Sequence, residues 1–176
     1  MKRLMISALA AASLLAGGCV LMQNSYVDNS EYDLELTRPS ASAPKIRVGV
    51  FKNLSCSDRR FLIRMADGQL SASEYLRWRL APELLLQRCM YGAFAVEPDS
   101  ETSAPLLSAV IYRFEFDERD RSAHMSADFT LHGERWRTVR ADFSEPVEDW
   151  NSGAAQAAAM NKCVKRAIAE INGALK

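Results

Sequence analysis

Only two histidines, His124 and His132, occur in the 176 residues. They stand eight apart on one alternating stretch. At about 3.3 Å per residue they lie about 26 Å apart in a strand, too far to share a metal within one subunit. They read as surface histidines. No CxxC and no paired-histidine spacing is present, which sets aside the usual zinc frameworks. GxSxG, HExxH and a glycine-rich phosphate loop are missing too, and with them the common signatures of hydrolases, metalloproteases and nucleotide-binding enzymes. Lys plus Arg equals Asp plus Glu at 22 each, so no basic excess marks a nucleic-acid partner. No internal repeat is visible. The absences point to a chain without a catalytic step and without a cofactor.

An apolar run long enough for a membrane span, about 20 residues, is lacking as well. What is present is a short leader. Lys2 and Arg3 open it, an apolar stretch from Leu4 to Ala16 follows, and it closes on Leu15-Ala16-Gly17-Gly18-Cys19. A basic start, an apolar centre and a small-residue exit fit a cleaved secretory signal. Small residues directly before a cysteine are the pattern of a lipoprotein signal, with the Cys19 thiol as the group that takes the lipid. An ordinary secretory signal cut elsewhere is the alternative. One acyl chain holds a protein to a membrane only marginally, each buried CH₂ adding about 0.8 kcal/mol, so firm anchoring calls for several chains on Cys19. Val20 stands where an Asp would resemble an inner-membrane retention signal, which favours the periplasmic face of the outer membrane.

The expected divisions are therefore a signal over 1–18, a lipidated tether over 19–31 and one domain over 32–176. Removal of residues 1–18 from the 176 leaves 158, a size at which a single core is well supported. Loss of Lys2 and Arg3 leaves 20 basic against 22 acidic residues, a net charge of −2. Cys56, Cys89 and Cys163 remain in that part. An oxidising compartment predicts one disulfide. Three thiols allow three pairings. Cys89 and Cys163 both fall on predicted helices over one sheet face, and that pair is the expected one.

The tether is polar and without period, and about a dozen extended residues reach about 40 Å. Tyr32 to Leu36 alternates as a short strand, and Pro39 to Pro44 reads as a linker. Lys45 to Phe51 is a strand with Ile46, Val48 and Val50 on one face. Arg59 to Ala72 is a hairpin, with Phe61, Ile63 and Met65 on one face and Asp67-Gly68 as the turn. Ser71 to Glu74 has capping-box spacing, so a helix is expected from there, with Leu76, Leu80, Leu84 and Arg88 on one stripe. Pro82 conflicts with an unbroken helix: either the axis bends, or a first turn ends near Ala81 and Pro82 opens the main helix. Tyr91-Gly92 ends it.

Ala93 to Val96 is a short strand. Pro105 to Asp117 is a longer one, with Val110, Tyr112, Phe114 and Phe116 on one face. Ala123 to His132 turns Met125, Ala127, Phe129 and Leu131 inward, and Arg135 to Glu145 does the same with Val139, Ala141 and Phe143. Tight turns join these three into an antiparallel meander. The final helix repeats Met160, Val164, Ala167, Ile168, Ile171 and Leu175 at threes and fours, capped by Asn151 or Ser152. The fold class is α+β: a two-layer sandwich, its mostly antiparallel sheet carrying both helices on one face.

Glu115, Asp117, Glu118 and Asp120 form an acidic turn opposed by Arg113, Arg119 and Arg121, which reads as a solvated loop and not as a calcium site. Trp78 and Trp136 are either core residues or interface anchors.

From Tyr32 onward the chain resembles the ABC-type transport auxiliary lipoproteins of the PqiC/YmbA-like family. The resemblance rests on Tyr32-Asp33-Leu34, on Ile46-Arg47-Val48-Gly49-Val50, on Phe61-Leu62-Ile63-Arg64, on Tyr75 and Arg77-Trp78 before Pro82-Glu83-Leu84, on Leu106 to Phe116, and on the Ala-rich last helix. The gap from Trp78 to Pro82 is one residue longer than the family pattern, and Ala81 stands where an acidic residue is expected. The resemblance implies an accessory without enzymatic activity. Its partners would be an MCE-domain protein and ABC transporter components, and it would link a periplasmic lipid conduit to the outer membrane. It makes Arg64 and Trp78 candidate interface residues and admits a homo-oligomer. Competing readings are a lipopolysaccharide-assembly lipoprotein that partners an outer-membrane barrel, a structural envelope lipoprotein, and an envelope enzyme, which would need a cleft joining a nucleophile to a base.

Overall fold

Eight strands and two helices make up the described part of the chain in the order β1 (Ser30–Tyr32), β2 (Lys45–Asn53), β3 (Arg60–Arg64), β4 (Leu70–Trp78), α1 (Pro82–Ala93), β5 (Ala95–Val96), β6 (Leu106–Asp117), β7 (Ser122–His132), β8 (Trp136–Pro146) and α2 (Gly153–Ala174). The computed structural model describes residues 29–39, 43–96 and 103–176. The leader, Cys19 and most of the tether lie outside them. The strands form one mixed sheet in the order β1-β4-β3-β6-β2-β5, with β7 on the other edge of β6 and β8 beyond β7. The long ladders, β6–β7 and β7–β8, are antiparallel, as is β3–β4. The short ladders that β6 makes with β2 and β3 are parallel. Both helices bury their apolar faces in a single core on one side of the sheet. The architecture is the expected α+β sandwich.

Alternation builds the central strands. Leu107, Ala109 and Ile111 on β6 face the core with Met125, Ala127, Phe129 and Leu131 on β7. Two bulges break the simple pattern. On β2, Val48 pairs with Leu107 but Phe51 with Ala109, so one extra residue is accommodated. The bulge sends Phe51 inward and leaves Val50 exposed, against the expected inward Val50. On β6, Tyr112 is the extra residue between Ile111 and Arg113. Beyond it Phe114 and Phe116 face the core, whereas Val110 and Tyr112 do not share that face as expected.

The expected helix start at Ser71 is wrong. Residues 70–78 continue the hairpin as β4, turned at Asp67-Gly68, where Gly68 takes φ +90°. The serines serve a different purpose. Between Ala72 and Arg77 the strand bulges out of its ladder with β3. There the Ser73 hydroxyl accepts the N–H groups of Tyr75 (3.3 Å) and Leu76 (3.0 Å). Helix α1 begins with Pro82 at its first position, which settles the two readings of that proline. It buries Leu85, Leu86, Cys89 and Met90, and the expected Leu84 is exposed. Helix α2 is capped by Ser152, whose hydroxyl accepts from Ala155 N–H. Strand β1 comes earlier than Tyr32 to Leu36, yet Leu34 still reaches the core.

Trp78 closes the β1–β4–β3 end of the core. It is fully buried, 4.3 Å from the Phe61 ring centre and 5.3 Å from that of Phe114. Trp78→Ala is expected to cost about 3–5 kcal/mol, as large-to-small changes of buried aromatics do. Urea unfolding followed by circular dichroism checks it; a loss below about 1 kcal/mol would be incompatible with this burial.

Candidate functional surface

The two sheet faces differ in chemistry. Alternation that sends Phe114, Phe116, Ala123 and Met125 to the core sends Arg113, Glu115, Asp117, Ser122 and His124 to the open face. Glu115 is the centre of this face. It lies within β6, not in the turn that was expected to hold it, and its side chain is only 2 % exposed. Arg64 on β3 grips it with two hydrogen bonds, Nε to Oε1 at 2.7 Å and Nη2 to Oε2 at 3.0 Å. Arg113 donates two more to Oε1, at 3.0 and 2.7 Å. Burial by itself raises the Glu115 carboxyl, but the bonds from Arg64 and Arg113 outweigh it and hold the group below its ordinary value.

One strand away a second cluster forms. The Ser122 hydroxyl donates to Asp120 and lies 2.7 Å from His124 Nε2. Asp120 Oδ2 is 3.1 Å from that same nitrogen. A serine, a histidine and an aspartate thus meet, which sequence spacing did not suggest. The geometry differs from a catalytic triad, in which the carboxylate holds Nδ1 so that Nε2 can serve the serine. Here both partners share Nε2, and Ser122 is buried. Asp117, Asp120 and His124 each offer a ligand atom within 4.8 Å of the others, so they could approach a cation. Those groups already have protein partners. Asp120 binds Ser122, and Asp117 Oδ1 accepts the Arg119 N–H at 3.0 Å. Burial raises the Asp120 carboxyl, and the bonds from Ser122 and His124 lower it by more.

Two cavities open elsewhere, where the end of α2 meets the strands. One of about 460 Å³ places Arg135, Arg137 and Lys176 beside Leu131 and Leu175. Arg137 is held there by donating to the Ala174 carbonyl at 2.7 Å. The other, of about 240 Å³, is lined by Arg38, Phe94 and Ile168 among others and shares Lys176. Glu134 also lines the larger cavity, so its charges are mixed.

The residues singled out from sequence are scattered. Arg64 sits on the open face as an ion-pair partner, part-exposed. Trp78 is a core residue and offers no contact surface. Trp136 is the tryptophan that projects, 76 % exposed and edge-on to His132 at 4.5 Å. The expected Cys89–Cys163 disulfide is not formed; Cys56, Cys89 and Cys163 are all free thiols. Cys163 turns its sulfur to the sheet, 3.5 Å from Ala123 O and 3.7 Å from Phe143 O. Cys89 packs in the core from α1. Sharing a sheet face was not enough to bring two such side chains together. Burial pushes the Cys89 thiol up to about 11 and the Cys163 thiol up to about 12, so both stay protonated and inert. Cys19 lies outside the described residues. Among the described residues no helix is long and apolar enough to cross a membrane.

No protein-family model and no curated protein matches the chain. Two solved structures share its fold. One is the crystal structure of an uncharacterized protein, 12 % identical, with a TM-score of 0.71 over 85 % of this chain and 99 % of that one. The other is protein XCC0632 from Xanthomonas campestris, assigned to the DUF330 family. It is 18 % identical, with a TM-score of 0.60 over 82 % of this chain and 93 % of its own.

Glu115→Gln keeps the shape but leaves Arg64 and Arg113 without their anion. A buried charge stripped of its partner costs about 3–5 kcal/mol, and because both arginines are about one-third exposed the expected loss at neutral pH is smaller, about 1–3 kcal/mol. The wild-type carboxyl is depressed in the folded state, so its contribution is complete above the ordinary value of 4.5 and is lost as pH falls below it. Urea midpoints of the two proteins should therefore differ at pH 7 and converge towards pH 3; an unchanged gap at low pH would exclude Glu115 as the source.

Proposed function

We propose that this protein is a lipoprotein of the outer membrane, facing the periplasm, and a non-catalytic accessory of an MCE/ABC-type lipid transport system. Cys19 carries the acyl chains, the tether over 19–31 gives reach, and the domain docks the periplasmic end of the conduit. The observation that carries the reading is the leader's end, Leu15-Ala16-Gly17-Gly18-Cys19, followed by Val20. It supports export, acylation and the outer membrane in turn. The transport role draws on the resemblance of Tyr32 onward to the auxiliary lipoproteins. A fold shared with the DUF330 protein is compatible with it.

Two experiments test the reading. Cys19→Ala should leave an uncleaved or unanchored precursor; a variant that still fractionates as processed outer-membrane protein would remove the anchor. In-membrane crosslinking of the tagged protein, followed by mass spectrometry, should recover an MCE-domain protein. Recovery of an outer-membrane barrel and no MCE protein would select the lipopolysaccharide-assembly reading instead.

A further inference from the structure

Among the described residues, strand β8 has a partner on one edge only. It matches β7 over eleven residue pairs, from His132 with Trp136 to Ser122 with Pro146, without a register shift. Among the described residues nothing pairs with its other edge. Long edges are normally blunted by charged side chains, bulges, inward charges or proline, because their free N–H and C=O groups invite another strand. The charges on β8 are of both signs, so they oppose a partner in one register and admit it in another. Here the only proline, Pro146, stands at the last position. Arg137, Thr138, Arg140, Asp142 and Ser144 are all exposed.

The side chains along this edge are ordered in a way that selects one partner. Cations come first, Arg137 and Arg140, and acids follow, Asp142 and Glu145. Set β8 antiparallel against β8 of a second copy, with Ala141 opposite Ala141. Arg140 then faces Asp142, Val139 faces Phe143, Thr138 faces Ser144 and Arg137 faces Glu145. Opposite charges, a β-branched residue with an aromatic one, and two hydroxyls are the cross-strand pairs that stabilise sheets. Two-fold symmetry makes each occur twice. The neighbouring registers that also keep both helical layers on one face bring Arg140 against Arg140, or Asp142 against Asp142. The charges thus favour one register and oppose its nearest competitors.

Helix α2 covers the inner face of this strand. The Arg166 guanidinium lies 4.4 Å over the Phe143 ring and bonds Glu145 at 2.8 Å, while Arg137 reaches Ala174 at the far end of α2. The part of α2 level with Ala141 therefore falls between Arg166 and Ala174. Arg166 and Glu170, one turn apart on this stretch of α2, are both exposed. Asp142 and Glu170 make no ion pair among the described residues, whereas Arg140 holds Asp128 at 2.8 Å on the open face.

We propose that β8 is a dimerisation edge. A second copy of this chain pairs with it antiparallel about Ala141 and joins the two sheets into one continuous sheet. The inference stands on the edge and its charges and is independent of the transport reading.

Full-length protein in detergent, carrying Cys56→Ser to remove the exposed thiol, should be a dimer by light scattering at about 10 µM, a concentration that micromolar association populates. Asp142→Arg puts two arginines face to face and should raise the dissociation constant at least about tenfold, with an unchanged circular dichroism spectrum. Thr138→Cys with Ser144→Cys should give an intermolecular disulfide, whereas either alone should not. In this register each single thiol stands about 20 Å from its copy, beyond disulfide reach. A monomer at that concentration, a dimer indifferent to Asp142→Arg, or a disulfide formed by Ser144→Cys alone would overturn the proposal.

Discussion

Strand β6 is paired along both edges, by β7 on one side and by β2 and then β3 on the other, and the remaining elements take their places from it. Because β2 and β3 share one edge of β6 and run parallel to it, the chain between them has to leave the ladder and return in line. Residues 54–59 do this in a small polar knot. Asn53 donates to Ser57 O at 2.7 Å and accepts from the Ser55 N–H and hydroxyl. Cys56 takes φ +61° at the crest of the turn. Asn53 also reaches Glu83 at 3.1 Å, which ties this knot to the first turn of α1. A strand with both edges in use satisfies its backbone groups in hydrogen bonds. Leu107, Ala109 and Ile111 face the core before the bulge at Tyr112 and Phe114 and Phe116 after it, which leaves Arg113, Glu115 and Asp117 to be settled on the open side.

Glu115 is the result of that settlement. A carboxylate on a central strand of a two-layer sheet has no helix above it, yet long neighbours cover it almost completely. Two guanidinium groups supply four hydrogen bonds, and the pairing of β3 with β6 is what delivers Arg64 to the same carboxylate as Arg113. The Arg64–Glu115 bridge spans 51 positions in sequence. It therefore reports tertiary register, since no local spacing predicts it. The Ser122–His124–Asp120 group, by contrast, is local. It forms across four residues of one turn and strand, and its sharing of one imidazole nitrogen follows from that compactness.

Much of the fold is legible from patterning. The Asp67-Gly68 hairpin, the three-strand meander from β6 to β8, the Ser152 cap and the apolar stripe of α2 all follow from alternation, turn chemistry or helical period. The misreadings share a cause. Val50, Tyr112 and the Ser73 to Leu76 stretch sit at bulges, where an extra residue inverts the expected facing of all that follows, and period-two reasoning has no means of counting it. The serine run has the spacing of a helix cap, yet a hydroxyl that accepts N–H groups two or three residues on satisfies a bulge as well as a helix start. Arg64 and Trp78 both stand in the segments that resemble the auxiliary lipoproteins, and their opposite fates depend on which face of the sheet each one meets.

The sequence alone determined the short apolar stretch that closes on Cys19, the alternating strands, the helix over 153–174 and the lack of any familiar catalytic pattern, because each is written within a few adjacent residues. Only the tertiary structure decided that Trp78 lies in the core and Trp136 on the surface, that Cys89 and Cys163 stay apart, that Arg64 and Arg113 share Glu115, and that β8 pairs with β7 alone among the described residues. Each of these depends on which strands become neighbours, and that choice belongs to the packing of distant segments, which no local pattern encodes.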